Sequence, residues 1–240
     1  MKYIKLFLCA AICCLLFIGC EPNITVDEPC AYDNAMADGE ILIVVDAGHG
    51  LGDVGALNEE NLGDITEADI NFDITTLLCE KLSEKYTVVM SHDGVTKPDT
   101  EYDDGEDTYG PSERADFSNS TAADLFISIH CDSFPSNADV YGTRLYYADG
   151  TPNATEFDYK ISKAIGDAIN EQFQGGKEVI LKPMNSNSAY TVLYKTTVPS
   201  VLVECGFITN RGDAEKLTDT EWQNEFATAI ASGVDKYFEK

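Results

Sequence analysis

The chain has 240 residues, 44% of them hydrophobic, which suits one domain with a substantial core and excludes a chain disordered throughout. Sixteen basic residues against 42 acidic ones give a formal net charge of -26. That charge opposes nucleic acid and anionic surfaces as partners and would favour a metal cation or a substrate carrying amines.

The first residues read as a targeting segment. Lys2 and Lys5 precede an apolar run over 6–18 that is too short for an ordinary spanning helix. The run ends in Phe17-Ile18-Gly19-Cys20, which resembles a bacterial lipobox with Phe17 in place of the usual Leu. The expectation is a lipoprotein signal peptide over 1–19, lipid on Cys20 and a folded part held outside the cytoplasm at a membrane of the cell envelope. Residues 20–39, rich in Pro, Asp, Asn and Ala, look like a tether without periodicity, so the domain occupies 40–240. Cys9, Cys13 and Cys14 fall in the signal, leaving Cys30, Cys79, Cys131 and Cys205. An exported protein could pair these four, but Cys79 shares a helix face with apolar neighbours, and Cys131 and Cys205 end buried runs. Their simplest role is that of small buried hydrophobes.

The domain begins with ILIVVDAGHG over 41–50, where five unbroken aliphatics end in an acid and a histidine bracketed by glycines. Such a run suits a strand covered on both faces, as in a parallel α/β sheet, and delivers His49 to a turn. A loop over 51–65 leads to a helix over 67–85, with Ile70, Ile74, Leu77, Leu78 and Leu82 at helical spacing. Thr66 is its N-cap, with Asp69 three residues on as a variant capping box, and Glu67 lies in its first turn. An isolated acid there ordinarily complements the helix dipole.

A second strand over 86–91 precedes His92-Asp93 and an acidic, glycine-punctuated loop over 97–110, without the spacing of an EF-hand. A helix over 112–121 leads to DLFISIHCD over 124–132, a second apolar run ending in a histidine, His130. There follow a strand over 141–148, an amphipathic helix over 155–173 and a loop over 175–189 containing a short apolar piece, 179–181. Strands over 190–194 and 201–203 and a terminal helix over 220–238 complete the chain, the second of these strands belonging to SVLVECGF at 200–207. Because sites in open α/β sheets form beyond the carboxyl ends of strands, His49, His130 and Glu204 are candidates for one shared site. No CxxC spacing suggests a thiolate metal site.

These residues carry a resemblance. DAGHG at 46–50, Gly55-Ala56, Glu67 with Asn71, Arg114 with Asn119, ADLFISIHCD at 123–132, Gly142-Thr143 and VPSVLVECGFITN at 198–210 occur in one order. The chain thereby resembles the zinc-dependent N-acetylmuramoyl-L-alanine amidases of the Amidase_3 family, which cut the amide joining muramic acid lactate to the stem peptide of peptidoglycan. The resemblance implies a single α/β domain, phosphorylase/hydrolase-like, with a mixed, mostly parallel sheet of about six strands flanked by helices. It implies one Zn²⁺ per chain held by His49, Glu67 and His130, Glu204 as the catalytic carboxylate, and substrate contacts from Asn71, Arg114 and Asp132. His92 and Tyr194 stand where relatives often carry arginine. The loop over 175–189 is too short for the regulatory helix of some relatives, so an open groove is expected; the expected state of the protein is a monomer.

Two imidazoles and a carboxylate leave a fourth position on zinc for water, as catalytic sites require. The metal would polarise the amide carbonyl while Glu204 moves the proton. Two other readings are a lipid-anchored peptidoglycan-binding protein without catalysis and a zinc carboxypeptidase acting on stem peptides.

Overall fold

The structure is a computed structural model, and it describes residues 40–94, 109–185 and 190–239. The signal segment, tether, Cys30 and nearly all of the acidic loop over 97–110 lie outside those residues. A six-stranded sheet runs in the order β2-β1-β3-β6-β4-β5. Its strands are β1 (Leu42–Ala47), β2 (Thr87–Met90), β3 (Leu125–Asp132), β4 (Arg144–Ala148), β5 (Ile180–Met184) and β6 (Ser200–Phe207). β2, β1, β3 and β6 are mutually parallel, β4 runs antiparallel to β6, and β5 is parallel to β4. The sheet is thus mixed and mostly parallel, as expected.

The unbroken apolar runs have their explanation in two cores. Ile43 and Val45 of β1 face a large cluster with Ile70, Ile74 and Leu78 of α2 (Glu67–Leu82), Ile161 and Ile165 of α4 (Glu156–Gln172), and Phe226 and Ile230 of α7 (Thr220–Phe238). Leu42 and Val44 face the opposite cluster, with Ala115 of α3 (Pro111–Ser120) and Val192 and Leu193 of α5 (Thr191–Lys195). A strand whose alternate residues both need apolar cover cannot show polar alternation. Each fully buried aliphatic of this kind contributes about 1.5–3 kcal/mol. Cys131 and Cys205 follow the same alternation into the large core, and both are free thiols. α7 packs so closely on α4 that a Cβ on Gly233 would sit 2.5 Å from the Ile165 Cα.

Two expected elements are corrected. The expected strand over 190–194 is instead the helix α5. Val192 and Leu193 are adjacent and both buried, at 4% and 0% exposure. Adjacent residues of a strand point to opposite faces, whereas one helical turn can sink both into the same core. The sixth strand comes from the stretch expected to be a loop: β5, ILKPM, lies on the sheet edge, where Pro183 removes no ladder bond that a second neighbour would need. Two short helices, α1 (Glu59–Leu62) and α6 (Arg211–Leu217), occupy segments without a predicted element. No helix among the described residues is long and apolar enough to cross a membrane.

Candidate metal centre

β1, β3 and β6 lie side by side, so their carboxyl ends converge. Register places Ala47 opposite Ile129 and His130 opposite Glu204. Beyond Ala47 the chain turns: Gly48 donates to the Ile129 carbonyl at 2.9 Å, and His49 adopts φ 65°, in the left-handed region. Arg114 from α3 clamps this turn, donating to the carbonyls of Ala47 (2.7 Å) and His49. Gly48 is required because the His130 ring fills the space of a side chain; a Cβ there would lie 2.2 Å from its Nε2. The third participant enters from a helix. The Thr66–Asp69 capping box is present, with Thr66 N–H donating to Asp69 at 2.8 Å and Asp69 N–H to Thr66 at 3.2 Å. It starts α2 so that Glu67 points into the strand ends, buried at 3% exposure.

His49, Glu67 and His130 each offer one ligand atom, and these atoms all lie within 4.8 Å of one another. Glu67 Oε1 is 3.2 Å from His49 Nε2 and 3.3 Å from His130 Nδ1. The carboxylate is fixed by backbone donors, Ala56 N–H to Oε2 at 2.8 Å and Cys131 N–H to Oε1 at 3.1 Å. Burial opposes charge on both partners. Even so, the Glu67 and Asp53 carboxylates carry the His49 imidazole up to about 9, and the two histidines hold Glu67 well below the usual carboxylate range. The centre therefore calls for positive charge. Two imidazole nitrogens and one buried carboxylate oxygen, converging with room on the cavity side, fit a divalent ion of zinc's ligand preference.

Beside them stands Glu204, 5% exposed, with Oε2 lacking any hydrogen-bond partner among the described residues. Burial, then the neighbouring charges of Asp132 and Glu67, pushes its carboxyl well above the ordinary range. A cavity of about 610 Å³ opens over the group, lined by His49, Glu67, His130, Asp132, Tyr190 and Glu204 among others.

The three side chains expected to meet substrate differ in position. Asp132 faces the cavity and pairs with Arg144 at 3.1 Å; burial above all raises its carboxyl pKa. Asn71 is buried, its amide donating to the Gly48 carbonyl at 3.0 Å and weakly to Glu67 Oε1 at 3.4 Å. Arg114 also borders the cavity, but its nitrogens are bonded to Asp46, Ala47, His49 and Tyr109. His92 is buried and neutral, donating from Nε2 to the Ala47 carbonyl at 2.8 Å and accepting from Gly94 N–H at 3.1 Å. Burial, with Arg114 adding to it, lowers its pKa. Tyr194 lies on α5, 37% exposed. Sequence reasoning missed Asp53, whose carboxylate accepts from His49 Nδ1 at 2.7 Å, and the backbone N–H groups of Ala56 and Cys131. Only the spacing of four residues within a glycine-rich turn hinted at Asp53.

A strand-end cluster of side chains that could hold a metal, next to a carboxylate with a free oxygen among the described residues, is the kind of site a hydrolase on an α/β sheet uses. The chain belongs to the Amidase_3 family, N-acetylmuramoyl-L-alanine amidase, whose model matches residues 43–236. Its reaction is hydrolysis of the peptidoglycan amide bond between glycan and stem peptide. It is 30% identical over 212 residues to the uncharacterized protein YqiI of Bacillus subtilis (strain 168), covering 88% of this chain and 91% of that one. It is likewise 30% identical over 197 residues to the N-acetylmuramoyl-L-alanine amidase LytC of the same organism, covering 82% of this chain but only 35% of LytC. Among solved structures, N-acetylmuramoyl-L-alanine amidase AmiC2 of Nostoc punctiforme superposes with a TM-score of 0.69 at 28% identity, covering 85% of this chain and 100% of that one.

Proposed function

We propose that this amidase is zinc-dependent, that His49, Glu67 and His130 hold one Zn²⁺ per chain, and that Glu204 is its catalytic carboxylate. The observation that carries the reading is the convergence of the three donor atoms within 4.8 Å, with an unbonded, buried glutamate on the adjoining strand. Bound there, zinc would supply Lewis acidity to the amide carbonyl and acidify water at its open position. Glu204 accepts the proton of the attacking water and returns it to the nitrogen of the departing L-alanine. Asp132, with Arg144 behind it, borders the path of the substrate, and Asn71 and Arg114 act by fixing the turn that carries His49.

The domain would work outside the cytoplasm, held by lipid on Cys20. Twenty residues of tether, fully extended, reach roughly 65–70 Å. Mass spectrometry of muropeptides after incubation with the purified domain tests the reaction. Free stem peptides beginning with L-alanine should appear beside intact muramic acid, vanish with chelator and return with added zinc. Loss of a terminal residue alone would indicate a carboxypeptidase, and no change of mass a binding protein.

A further inference from the structure

We propose that Asp53 is a positioning residue for the metal centre: it holds the His49 imidazole in the tautomer that presents Nε2 to the cation. This role rests on the zinc reading above. A neutral imidazole carries one proton and one lone pair, on opposite nitrogens. Asp53 Oδ2 lies 2.7 Å from Nδ1, and Nε2 faces Glu67 Oε1 at 3.2 Å. An ionised carboxylate can only accept, so the proton belongs on Nδ1 and the lone pair on Nε2.

His49 needs this support more than His130 does. It sits past the end of β1 on a left-handed residue, with its side chain 26% exposed, whereas His130 lies within β3 with its ring packed on Gly48. Asp53 is itself tied down. Gly55 N–H donates to Oδ1 at 3.0 Å, and Gly50 and Asp53 exchange backbone bonds at 2.7 and 3.1 Å. The turn beginning at Gly50 thus brings the carboxylate back to the histidine beside it. The arrangement is asymmetric: the nitrogens that face Glu67 Oε1, and that would face a cation there, are Nε2 of His49 and Nδ1 of His130.

The test is zinc affinity, measured by competition with a chromophoric chelator, alongside the melting temperature of the metal-free protein. Asp53→Ala should bind zinc about 10–100-fold more weakly, the usual loss when a carboxylate behind a ligating histidine is removed. Asp53→Asn keeps an acceptor for Gly55 but removes the charge opposite Nδ1. It should also lose affinity while its metal-free melting temperature matches that of the wild type. Zinc binding by Asp53→Asn equal to the wild type would overturn the proposal, because loop geometry alone would then suffice. So would ¹⁵N-edited spectra of the zinc-loaded wild type showing His49 coordinated through Nδ1. A wild type that takes up no zinc would overturn this role and the zinc reading together, whereas equal zinc binding by wild type and Asp53→Asn overturns only the role of Asp53.

Discussion

Arg114 and Asp46 show how single residues under the site are made to hold still. Asp46 is fully buried. Burial alone would raise its pKa, but the Arg114 guanidinium at 2.7 Å and the hydroxyls of Ser91 and Ser128 bring it down to about 2. A carboxyl depressed from 3.8 to about 2 contributes on the order of 2 kcal/mol, present above pH 3.8 and lost as pH falls through 2. Arg114→Ala would leave that carboxylate buried without its cation and release the turn carrying His49. It should cost about 3–5 kcal/mol at neutral pH by denaturant unfolding. Without the guanidinium, burial raises the Asp46 pKa, so protonation relieves the charge and the deficit should shrink as pH falls towards 4. A deficit independent of pH would mean that Arg114 serves packing alone.

At the scale of elements, what could be read from the chain depended on how much local sequence decides. β1, β3 and β6 were legible because strands covered on both faces must be apolar throughout and must end where the chain meets water. The helix over Glu67–Leu82 was legible from its spacing and its capping box. β5 was not, since a short edge strand containing Lys182 and Pro183 gives no signal apart from its partner. Nor was α5, where β-forming residues fold as a helix because α3 and the sheet offer a pocket for two adjacent side chains. In the site, strand ends alone pointed to His49, His130 and Glu204. Glu67 emerged only through the family resemblance, because an acid in a first helical turn is ordinary. The cysteines test the strand account. Cys131 and Cys205 lie in adjoining strands directly after His130 and Glu204, yet face the core. Cys131→Ala with Cys205→Ala should keep bound zinc and much of the activity, with only the stability loss of a lightened core. Loss of zinc from the folded double variant would instead point to a thiolate ligand.

For the molecule as a whole, the proposal to test is that lipid on Cys20 holds an acidic amidase domain outside the cytoplasm. Removing the proposed lipid site by Cys20→Ala should release the protein from membranes or block its processing, without changing the cleavage catalysed by the isolated domain. A variant that fractionates and migrates like the wild type would remove the anchor from the account. In the proposed mechanism two of the buried glutamates divide the chemistry: Glu67 arrives on a helix and accepts from backbone donors, whereas Glu204 lies on a strand with Oε2 unpartnered among the described residues.

That division is tested most directly by the zinc content of folded Glu204→Gln, read beside Glu67→Gln and beside muropeptide cleavage by both. Glu204→Gln should carry as much zinc as the wild type, with a metal-free melting temperature no lower, while cleavage falls by about 10²–10⁴-fold. Glu67→Gln should lose zinc and activity together. Zinc lost from Glu204→Gln and kept by Glu67→Gln would contradict the account.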